Sequence, residues 1–280
     1  MLATVTRFLA CPHCGGPVEC ADRVLRCAAG HAFDLARQGY VTLLPPGGVA
    51  PAGDSGPMIA ARERFLAAGH FADLARLVGT ATAAAVERVP TGCLLEVGAG
   101  TGYHLAAALD LAPDRVGLAL DSAKPAARRA ARAHPRASAV VCDAWRQLPV
   151  RDGAAAAVLD VFAPRNGAEM RRVLAPGGAL VVVTPTAGHL AELVDAVGLL
   201  TVDRHKPERL AATLDPFFRR TERQRHDWPL RLDRDGVRDL IEMGPSARHL
   251  AGPRLTARLA ELAEPVAVTA SVYLSIYHPA

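Results

Sequence analysis

From residue 93 to about residue 190, short apolar runs alternate with alanine-rich segments of helical character. The apolar runs predict five strands, over residues 94–97, 116–120, 139–142, 158–162 and 180–184. Between two of them, residues 126–134 have the composition of a helix. Strands that are almost continuously apolar and alternate with helices are typical of a mainly parallel sheet buried on both faces. The pattern therefore predicts an α/β fold.

The flanking regions add further elements to this prediction. Residues 58–89 repeat apolar side chains at helical spacing, which predicts one helical stretch. Residues 266–277 alternate like a strand near the end of the chain. The positions that share one face of this strand are Val268, Ala270, Val272, Leu274 and Ile276.

The N-terminal residues are rich in Cys, Gly and His, and they are too few to bury a core unaided. The segment that follows, residues 45–57, is dense in Pro and Gly and is typical of a linker or loop. We therefore expect a small module over residues 1–45, a linker and helix over 46–70, and the α/β domain over 71–280.

Composition limits the kind of core and the kind of partner. Half of the 280 residues are hydrophobic but only 5% are aromatic, so the core must consist of Ala, Val and Leu. A formal net charge of +4 is compatible with a nucleic-acid partner. Several arginines are clustered, and each cluster fits either a solvated surface or an anionic partner. The clusters are Arg128 with Arg129, Arg171 with Arg172, and Arg219 with Arg220, Arg223 and Arg225.

No segment has the features of a signal peptide, and no run of about 18 apolar residues occurs. We therefore expect a cytoplasmic protein without a membrane partner. In a reducing compartment, the six cysteines are expected to be metal ligands or buried thiols and not disulfides.

A glycine-rich loop supplies the first candidate chemistry. Gly98, Gly100 and Gly102 follow the first predicted strand and precede a helix, with Thr101 between the last two. Glycines allow a tight turn and a close approach of the backbone to a ligand. Dinucleotide-binding proteins use similar loops, but there the third glycine comes three residues after the second, and here it comes two after.

Acidic residues beside the loop favour S-adenosylmethionine over a dinucleotide. Glu96 precedes the first glycine by two residues, where a carboxylate can contact the amino group of the cofactor. Asp121 ends the next strand, where it can accept hydrogen bonds from ribose hydroxyls or cap the following helix. Asp143 ends the third strand, on the side of the adenine. The set predicts a class I (Rossmann-like) methyltransferase sheet, and the sequence Leu-Ala-Pro-Gly-Gly at 174–178 resembles a segment common in that class.

Four residues in the N-terminal module have the spacing of a zinc site. Cys11 and Cys14 form a C-x-x-C pair, twelve residues separate Cys14 from Cys27, and three separate Cys27 from His31. Three thiolates and one imidazole complete a tetrahedral shell, so we expect one structural Zn²⁺. A redox role for the C-x-x-C pair is weaker, because no thioredoxin-like βαβ pattern follows it.

Two other residues of the module are spare candidates for the metal. His13 lies inside the C-x-x-C pair and would have to point away from the ion. Cys20 lies off the regular spacing and is expected to be an apolar thiol.

A zinc module followed by this cofactor domain resembles the RlmA family of 23S rRNA (guanine-N1)-methyltransferases, and the resemblance spans nearly the whole chain. The matching N-terminal residues are Cys11, Pro12, Cys14, Cys27, His31, Phe33, Asp34, Gly39, Tyr40, Val41, Leu43, Leu44 and Pro45. The match continues with Gly53, Asp54, Ser55, Met58, Ala61, Arg62, Phe65, Leu66, Gly69, His70 and Phe71. After the glycine loop it includes Phe162, Ala163, Pro164, Thr184, Pro185, His189 and Leu190.

This resemblance implies a substrate and further cofactor contacts. It is strongest to the branch associated with macrolide (tylosin-type) resistance, which methylates N1 of a guanosine in a 23S rRNA hairpin loop near the peptide exit tunnel. The family has an aromatic residue, commonly Tyr, where this chain has Phe71, and a His that matches His189. Without the resemblance, His189 would be interpreted as a histidine at a helix start. The family also works as a dimer, which makes a homodimer an expectation for this chain.

Guanine N1 carries a proton that must leave before or during methyl transfer, and a positioned base can accept it. Asp54, His70 and Asp160 are candidates by residue type only, so the sequence assigns no catalytic base. Asp54 has an alternative as the cap of the following helix. Arg26, Arg37 and Arg62 are candidates for RNA phosphate contacts.

Two other functions stay open at this stage. The first is a small-molecule methyltransferase that carries an accessory zinc ribbon. The second is a non-enzymatic binding protein with a degenerate cofactor site, against which the complete set Gly98, Gly100, Gly102 and Asp121 argues.

Overall fold

The computed structural model describes residues 2–49, 51–197, 212–248, 250 and 252–280. The strands are β1 Val18–Ala21, β2 Val24–Cys27, β3 Ala32–Asp34, β4 Tyr40–Thr42, β5 Cys93–Val97, β6 Gly117–Asp121, β7 Ala137–Val141, β8 Ala155–Val161, β9 Leu174–Pro185, β10 Phe218–Leu232 and β11 Val266–Pro279. The helices are α1 Leu2–Val5, α2 Gly56–Ala67, α3 Ala72–Val86, α4 Tyr103–Leu111, α5 Lys124–Ala130, α6 Gly167–Val173, α7 Ala191–Val197, α8 Arg234–Glu242 and α9 Pro253–Ala260.

Eight strands form one twisted sheet in the order β10-β11-β9-β8-β5-β6-β7-β4. The pairs from β9 to β4 are parallel, whereas β11 is antiparallel to both of its neighbours. The predicted α/β fold with a mainly parallel sheet is therefore confirmed. In this sheet β5 lies between β6 and β8, so the strand order reverses direction at β5. Parallel sheets bind ligands at such a reversal, or switch point, beside the carboxyl ends of the two strands that flank it, which here are β5 and β8.

The N-terminal module is joined to this sheet. Its β1, β2 and β3 form a separate three-stranded antiparallel sheet. The chain then enters the large sheet, where β4 pairs in parallel with β7 at the edge. A bridge between Leu9 and Val150 adds a second connection. The module therefore packs on the domain instead of extending away from it.

The two faces of the large sheet bury different elements. One face packs against α3 and α4, through side chains such as Leu74, Val78 and Leu105. The opposite face forms a continuous apolar cluster with the N-terminal module, including Leu9 and Leu25. Burying each apolar side chain of this size contributes roughly 1.5–3 kcal/mol, so this contact holds the module against the sheet.

Three details differ from the sequence prediction. The prediction of a single helical stretch over 58–89 was wrong, because Gly69 adopts φ +82° and separates α2 from α3. The helix predicted over 126–134 begins at Lys124 and ends at Ala130. The long strand β10 was not predicted at all. The five predicted strands and the C-terminal strand are present, with shifted ends. Among the residues described, no helix is both long enough and apolar enough to cross a lipid bilayer.

Candidate active site and zinc centre

Four side chains of the N-terminal module converge on one point. The ligand atoms of Cys11, Cys14, Cys27 and His31 all lie within 4.8 Å of one another. The Nδ1 atom of His31 lies 3.6 Å from the Sγ of Cys11 and 3.3 Å from that of Cys27, and the two sulfurs of Cys14 and Cys27 are 3.7 Å apart. Tetrahedral zinc with Zn–S bonds of about 2.3 Å separates its sulfurs by about 3.8 Å. The four residues therefore fit a structural Zn²⁺.

Tight backbone turns bring these ligands together. The N–H of Gly15 donates to the carbonyl of Cys11, and Gly15 adopts φ +72°, which favours glycine. In the second turn the N–H of Gly30 donates to the carbonyl of Cys27. His13 packs edge-on against His31 instead of joining the cluster. Cys20 is also outside the cluster.

The glycine loop follows β5 in a conformation that only glycine adopts readily. Gly98, Gly100 and Gly102 have φ values of +65°, +55° and +78°. A Cβ on Gly98 would lie 2.7 Å from the Cβ of Ala163, and one on Gly100 would lie 3.0 Å from the guanidinium of Arg62. Thr101, between Gly100 and Gly102, is half-buried. The loop is therefore enclosed by neighbouring segments, and side chains at Gly98 and Gly100 would collide with Ala163 and Arg62.

Three carboxyl groups lie at the carboxyl ends of the strands around the loop. Glu96 is buried, and its Oε2 accepts a hydrogen bond of 3.1 Å from the N–H of Leu105 in the first turn of α4. Asp121 accepts from the N–H groups of Gly100 and Ala123, both at 2.8 Å. Asp160 is fully buried, and its Oδ1 lies 2.9 Å from the Nη2 of Arg165. The cluster is acidic and suits a cationic ligand group.

Burial sets the protonation of this cluster. Desolvation, helped by the charges of Asp121 and Asp160, raises the pKa of Glu96 to about 8. Burial also raises the pKa of Asp121, while its two backbone hydrogen bonds oppose that shift. A cation placed beside Glu96 would favour its ionised form, as the ammonium of an amino-acid-like cofactor does.

A Glu96→Gln variant should reveal this pKa in the stability of the protein. Between the ordinary carboxyl pKa of 4.5 and the folded value of about 8, the folded state keeps a proton that the unfolded chain has lost. The free energy of unfolding therefore falls with rising pH in that window. Relative to the Gln variant, the wild-type protein should lose on the order of 1 kcal/mol per pH unit between about pH 5 and pH 8. Urea denaturation without cofactor measures this, and a pH-independent difference would contradict the shift.

Asp143 lies just after β7. Strand β6, which ends at Asp121, separates β7 from β5 and the glycine loop. Its Oδ1 accepts a hydrogen bond of 2.9 Å from the N–H of Trp145, and its Oδ2 lies 3.5 Å from the Nε of Arg146. The Trp145 side chain is exposed, and its carbonyl accepts from the side-chain amide of Asn166. The Asp143 carboxylate therefore holds the turn after β7 through the backbone of Trp145.

The segment before α2 covers the glycine loop. A Cβ on Gly53 would lie 2.8 Å from both Ala123 and the Oγ of Ser122, so this segment contacts the end of β6. The carboxylate of Asp54 lies 2.6 Å from the Nη2 of Arg62. The cap of α2 is Ser55 and not Asp54, because the Ser55 hydroxyl accepts from the N–H of Met58.

Arg62 connects several parts of this cover. Besides Asp54, its Nη2 donates at 2.8 Å to the carbonyl of Met243, after α8. Its guanidinium also lies beside the glycine loop, since a Cβ on Gly100 would lie 3.0 Å from it. His104, a further residue that the sequence did not single out, has its pKa lowered to about 4 by burial and by the charge of Arg62. The His104 imidazole is therefore uncharged at neutral pH.

An aromatic cluster lies at the carboxyl ends of β8 and β9. Phe71 is buried, with ring centroids 6.4 Å from His189 and 6.2 Å from Trp228. His189 accepts a hydrogen bond on Nδ1 from the N–H of Ser271, and its ring lies 5.7 Å from that of Phe162. Phe162 adopts φ +56° and is 39% exposed, both unusual for a large aromatic residue.

The three candidate bases lie in different surroundings. Asp54 pairs with Arg62 beside the glycine loop, and Asp160 is buried with Arg165. His70 stacks on Phe65, with centroids 4.7 Å apart, and its Nε2 faces Gly236 in α8. It lines a cleft of about 560 Å³ between α2 and α8. The structure therefore brings Asp54 and Asp160 to the loop region, whereas the contacts of His70 are with α2 and α8.

Comparison with known proteins agrees with both halves of this arrangement. A family model described as "RlmA, N-terminal" matches residues 9–47, and one described as "Methyltransferase domain" matches residues 95–182. The chain is 51% identical to a protein of Streptomyces fradiae named "23S rRNA (guanine(748)-N(1))-methyltransferase", covering 100% of this chain and 99% of that protein. It is 54% identical to a protein of Micromonospora griseorubida named "Putative 23S rRNA (guanine-N(1)-)-methyltransferase", covering 97% of each.

Proposed function

This chain belongs to the family of 23S rRNA (guanine-N1)-methyltransferases with an N-terminal zinc ribbon, and from that premise we propose that it methylates N1 of a guanosine in a hairpin loop of 23S rRNA near the peptide exit tunnel. The observation that carries the proposal is the full-length similarity, at 51% and 54% identity, to proteins named for this activity. The converging Cys₃His cluster and the enclosed glycine loop support it, because the activity would need a zinc site and a cofactor site.

The residues around the loop fit S-adenosylmethionine, which supplies an electrophilic methyl group when bound. We propose that the Glu96 carboxylate holds its ammonium group and that Asp121 accepts from its ribose hydroxyls. Asp143 would accept from the adenine amino group. Gly98, Gly100, Thr101 and Gly102 allow the backbone to approach the ligand. Phe71, directly before α3, and His189, after β9, have ring centroids 6.4 Å apart and would close the site on the side of the methyl group.

We further propose that Phe162 stacks on the target guanine. A base in an RNA loop can be unstacked and placed against an aromatic ring more easily than a base in a duplex. Phe162 is partly exposed and directly precedes Ala163, which contacts Gly98 of the cofactor loop. Its positive φ turns the chain at the switch point between β5 and β8. Backbone strain of this kind persists where the surrounding structure maintains it, often at functional sites.

Removing the Phe162 ring should weaken catalysis on RNA but leave cofactor binding intact. Base stacking contributes about 1–3 kcal/mol, so Phe162→Ala should lower kcat/KM for 23S rRNA by about 5–150-fold. Phe162→Gly should lose a similar amount of activity, although glycine relieves the strained φ. Phe162→Tyr should stay near the wild-type value. If the Ala and Gly variants keep full activity, the ring does not hold the base.

We propose a division of labour along the chain. Residues 1–45 bind the RNA, and residues 46–70 link this module to the α/β domain and cover the glycine loop. Residues 71–280 bind the cofactor and catalyse methyl transfer. Ribosomal RNA as substrate supports a cytoplasmic location. Methylation of a guanosine beside the exit tunnel would hinder macrolide binding, so we propose tylosin-type resistance as the phenotype. A homodimer is an additional proposal, which sedimentation of the zinc-loaded protein tests.

Methyl transfer to isolated RNA tests the proposed activity. Tritiated S-adenosylmethionine should label 23S rRNA that lacks the modification, and nuclease digestion should release the label as N1-methylguanosine. A small-molecule methyltransferase with an accessory zinc ribbon would leave the RNA unlabelled although it binds the cofactor. A non-enzymatic binding protein would show no cofactor binding by calorimetry. Either result would overturn the proposal.

A further inference from the structure

The edge strand β10 exposes a concentration of positive charge. Residues 219–225 are all exposed, and four of these seven are arginines, namely Arg219, Arg220, Arg223 and Arg225. One acidic residue, Glu222, lies among them. An edge strand with this composition is protected against pairing with other sheets, but edge protection alone does not require arginines on a particular face.

The register of β10 aligns three of the four arginines. Arg225 pairs with Tyr273 and Arg223 with Ser275, two residues apart on β11. A bulge between Arg220 and Glu222 shifts the register, so that Arg220 pairs with Tyr277. Paired residues share a face of the sheet, and alternate residues of β11 share one face. The bulge therefore moves Arg220 onto the face of Arg223 and Arg225. We call these three residues the arginine stripe.

The stripe lies on the same face of the sheet as the zinc module. Tyr277, the partner of Arg220, belongs to the apolar cluster that also contains Phe8, Leu9 and Leu25 of the module. The other face of β10 carries Glu222, Gln224 and His226, opposite residues such as Leu274 that pack towards α3. The positive charge is therefore directed to the side on which the module packs.

The stripe also leads towards the proposed site of methylation. Tyr273, opposite Arg225, pairs with Thr184 near the carboxyl end of β9, and His189 follows that strand. Tyr277, opposite Arg220, pairs with Leu180 nearer the start of β9. At about 3.4 Å per residue along β11, the stripe spans roughly 14 Å.

Most of this charge is not neutralised by the protein. Arg225 forms an ion pair with Asp227, in which its Nε lies 2.9 Å from the carboxylate. Among the ion pairs of the described residues, none includes Arg220 or Arg223. The guanidinium of Arg223 stacks over the ring of Tyr273 at 3.8 Å, which fixes its orientation without cancelling its charge.

From this arrangement we propose that the arginine stripe binds the phosphate backbone of the RNA substrate, on the same face as the zinc module, with the RNA directed towards the carboxyl edge of the sheet. The proposal rests on the proposed function, because it requires an RNA substrate. Phosphate contacts position an RNA without reading its sequence, so the stripe should affect affinity and its salt dependence but not the chemistry.

Salt-dependent RNA binding tests the stripe. The double variant Arg220→Gln/Arg223→Gln should lower the slope of log Kd against log salt concentration for a 23S rRNA hairpin by about 1.5. The matched control is Arg219→Gln/Arg88→Gln, which removes the same charge from exposed positions, with Arg219 on the opposite face of β10. The control should keep the wild-type slope. Calorimetric Kd values for S-adenosylmethionine, and kcat at saturating RNA, should be unchanged in both.

Equal slopes for the stripe variant and the control would overturn the proposal. So would self-association of the stripe variant in sedimentation with an unchanged slope, because the arginines would then protect the sheet edge. If the wild-type protein neither binds nor methylates the RNA, the proposed function itself fails. If the wild-type protein methylates the RNA but the stripe variant has an unchanged salt slope, the proposed function stands and only the role of the stripe is wrong.

Discussion

A Gly98→Ala substitution is expected to raise the Kd for S-adenosylmethionine, and to lower kcat/KM for RNA methylation, by on the order of 100-fold or more. The added Cβ would lie 2.7 Å from the Cβ of Ala163, closer than carbon atoms pack. Gly98 also has φ +65°, which alanine adopts at a cost. Strain and overpacking together amount to about 2–5 kcal/mol, and the loop can relieve them only by moving from its place beside Glu96 and Asp121.

Gly177→Ala is the matched control for backbone strain. Gly177 has a similar φ of +78°, but nothing lies within 4 Å of a Cβ built there. That variant should lose about 1 kcal/mol of stability and keep its cofactor affinity. Calorimetry gives the two Kd values and denaturation gives the two stabilities. If both variants bind the cofactor as the wild-type protein does, the glycine loop is not its binding site.

Removal of zinc is expected to unfold the N-terminal ribbon and abolish methylation of RNA. Apparent binding energies of structural zinc sites are about 10–16 kcal/mol, more than a module of this size gains from its own core. Cys14→Ser tests this with little effect on packing, because Cys14 is the exposed ligand. Amide hydrogen exchange should show lost protection in Val18–Ala21 and Val24–Cys27, with protection retained in Cys93–Val97.

Cys20→Ser provides the control for the zinc experiment, since Cys20 lies in the same small sheet but outside the ligand cluster. It should keep one zinc per chain and the wild-type exchange pattern. The contradicting outcome is a ribbon whose amides stay protected after the zinc is chelated, because the sheet contact through Leu9 and Leu25 would then hold the module alone.

Local sequence signals predicted the elements that depend on local physics. Continuous apolar runs gave the strands β5 to β9, because both faces of those strands are buried. The spacing of Cys11, Cys14, Cys27 and His31 predicted the four zinc ligands, because the ligands of each pair are joined by a tight turn of a few residues. The set Glu96, Gly98, Gly100 and Asp121 predicted a cofactor loop after β5, and the structure places that loop at the end of the strand, with Gly100 hydrogen-bonded to Asp121.

Features that depend on distant contacts could not be predicted in this way. Strand β10 has no hydrophobic alternation over residues 219–225, because both faces are exposed there. Arg62 contacts the carbonyl of Met243, 181 positions along the chain, so its place in the cover of the loop is not visible from its neighbours in the sequence. The positive φ of Phe162 is likewise not visible from the sequence, and the N–H of that residue donates to the carbonyl of Val183 in β9.

Primer extension on 23S rRNA tests the central claim most directly. A methyl group on N1 blocks Watson–Crick pairing of guanine, so reverse transcriptase stops next to the modified base. RNA from cells that express the wild-type protein should give one new stop at a guanosine in a hairpin loop lining the exit tunnel, and RNA from cells that express Gly98→Ala should not. An active, cofactor-binding protein that produces no new stop in 23S rRNA would contradict the account.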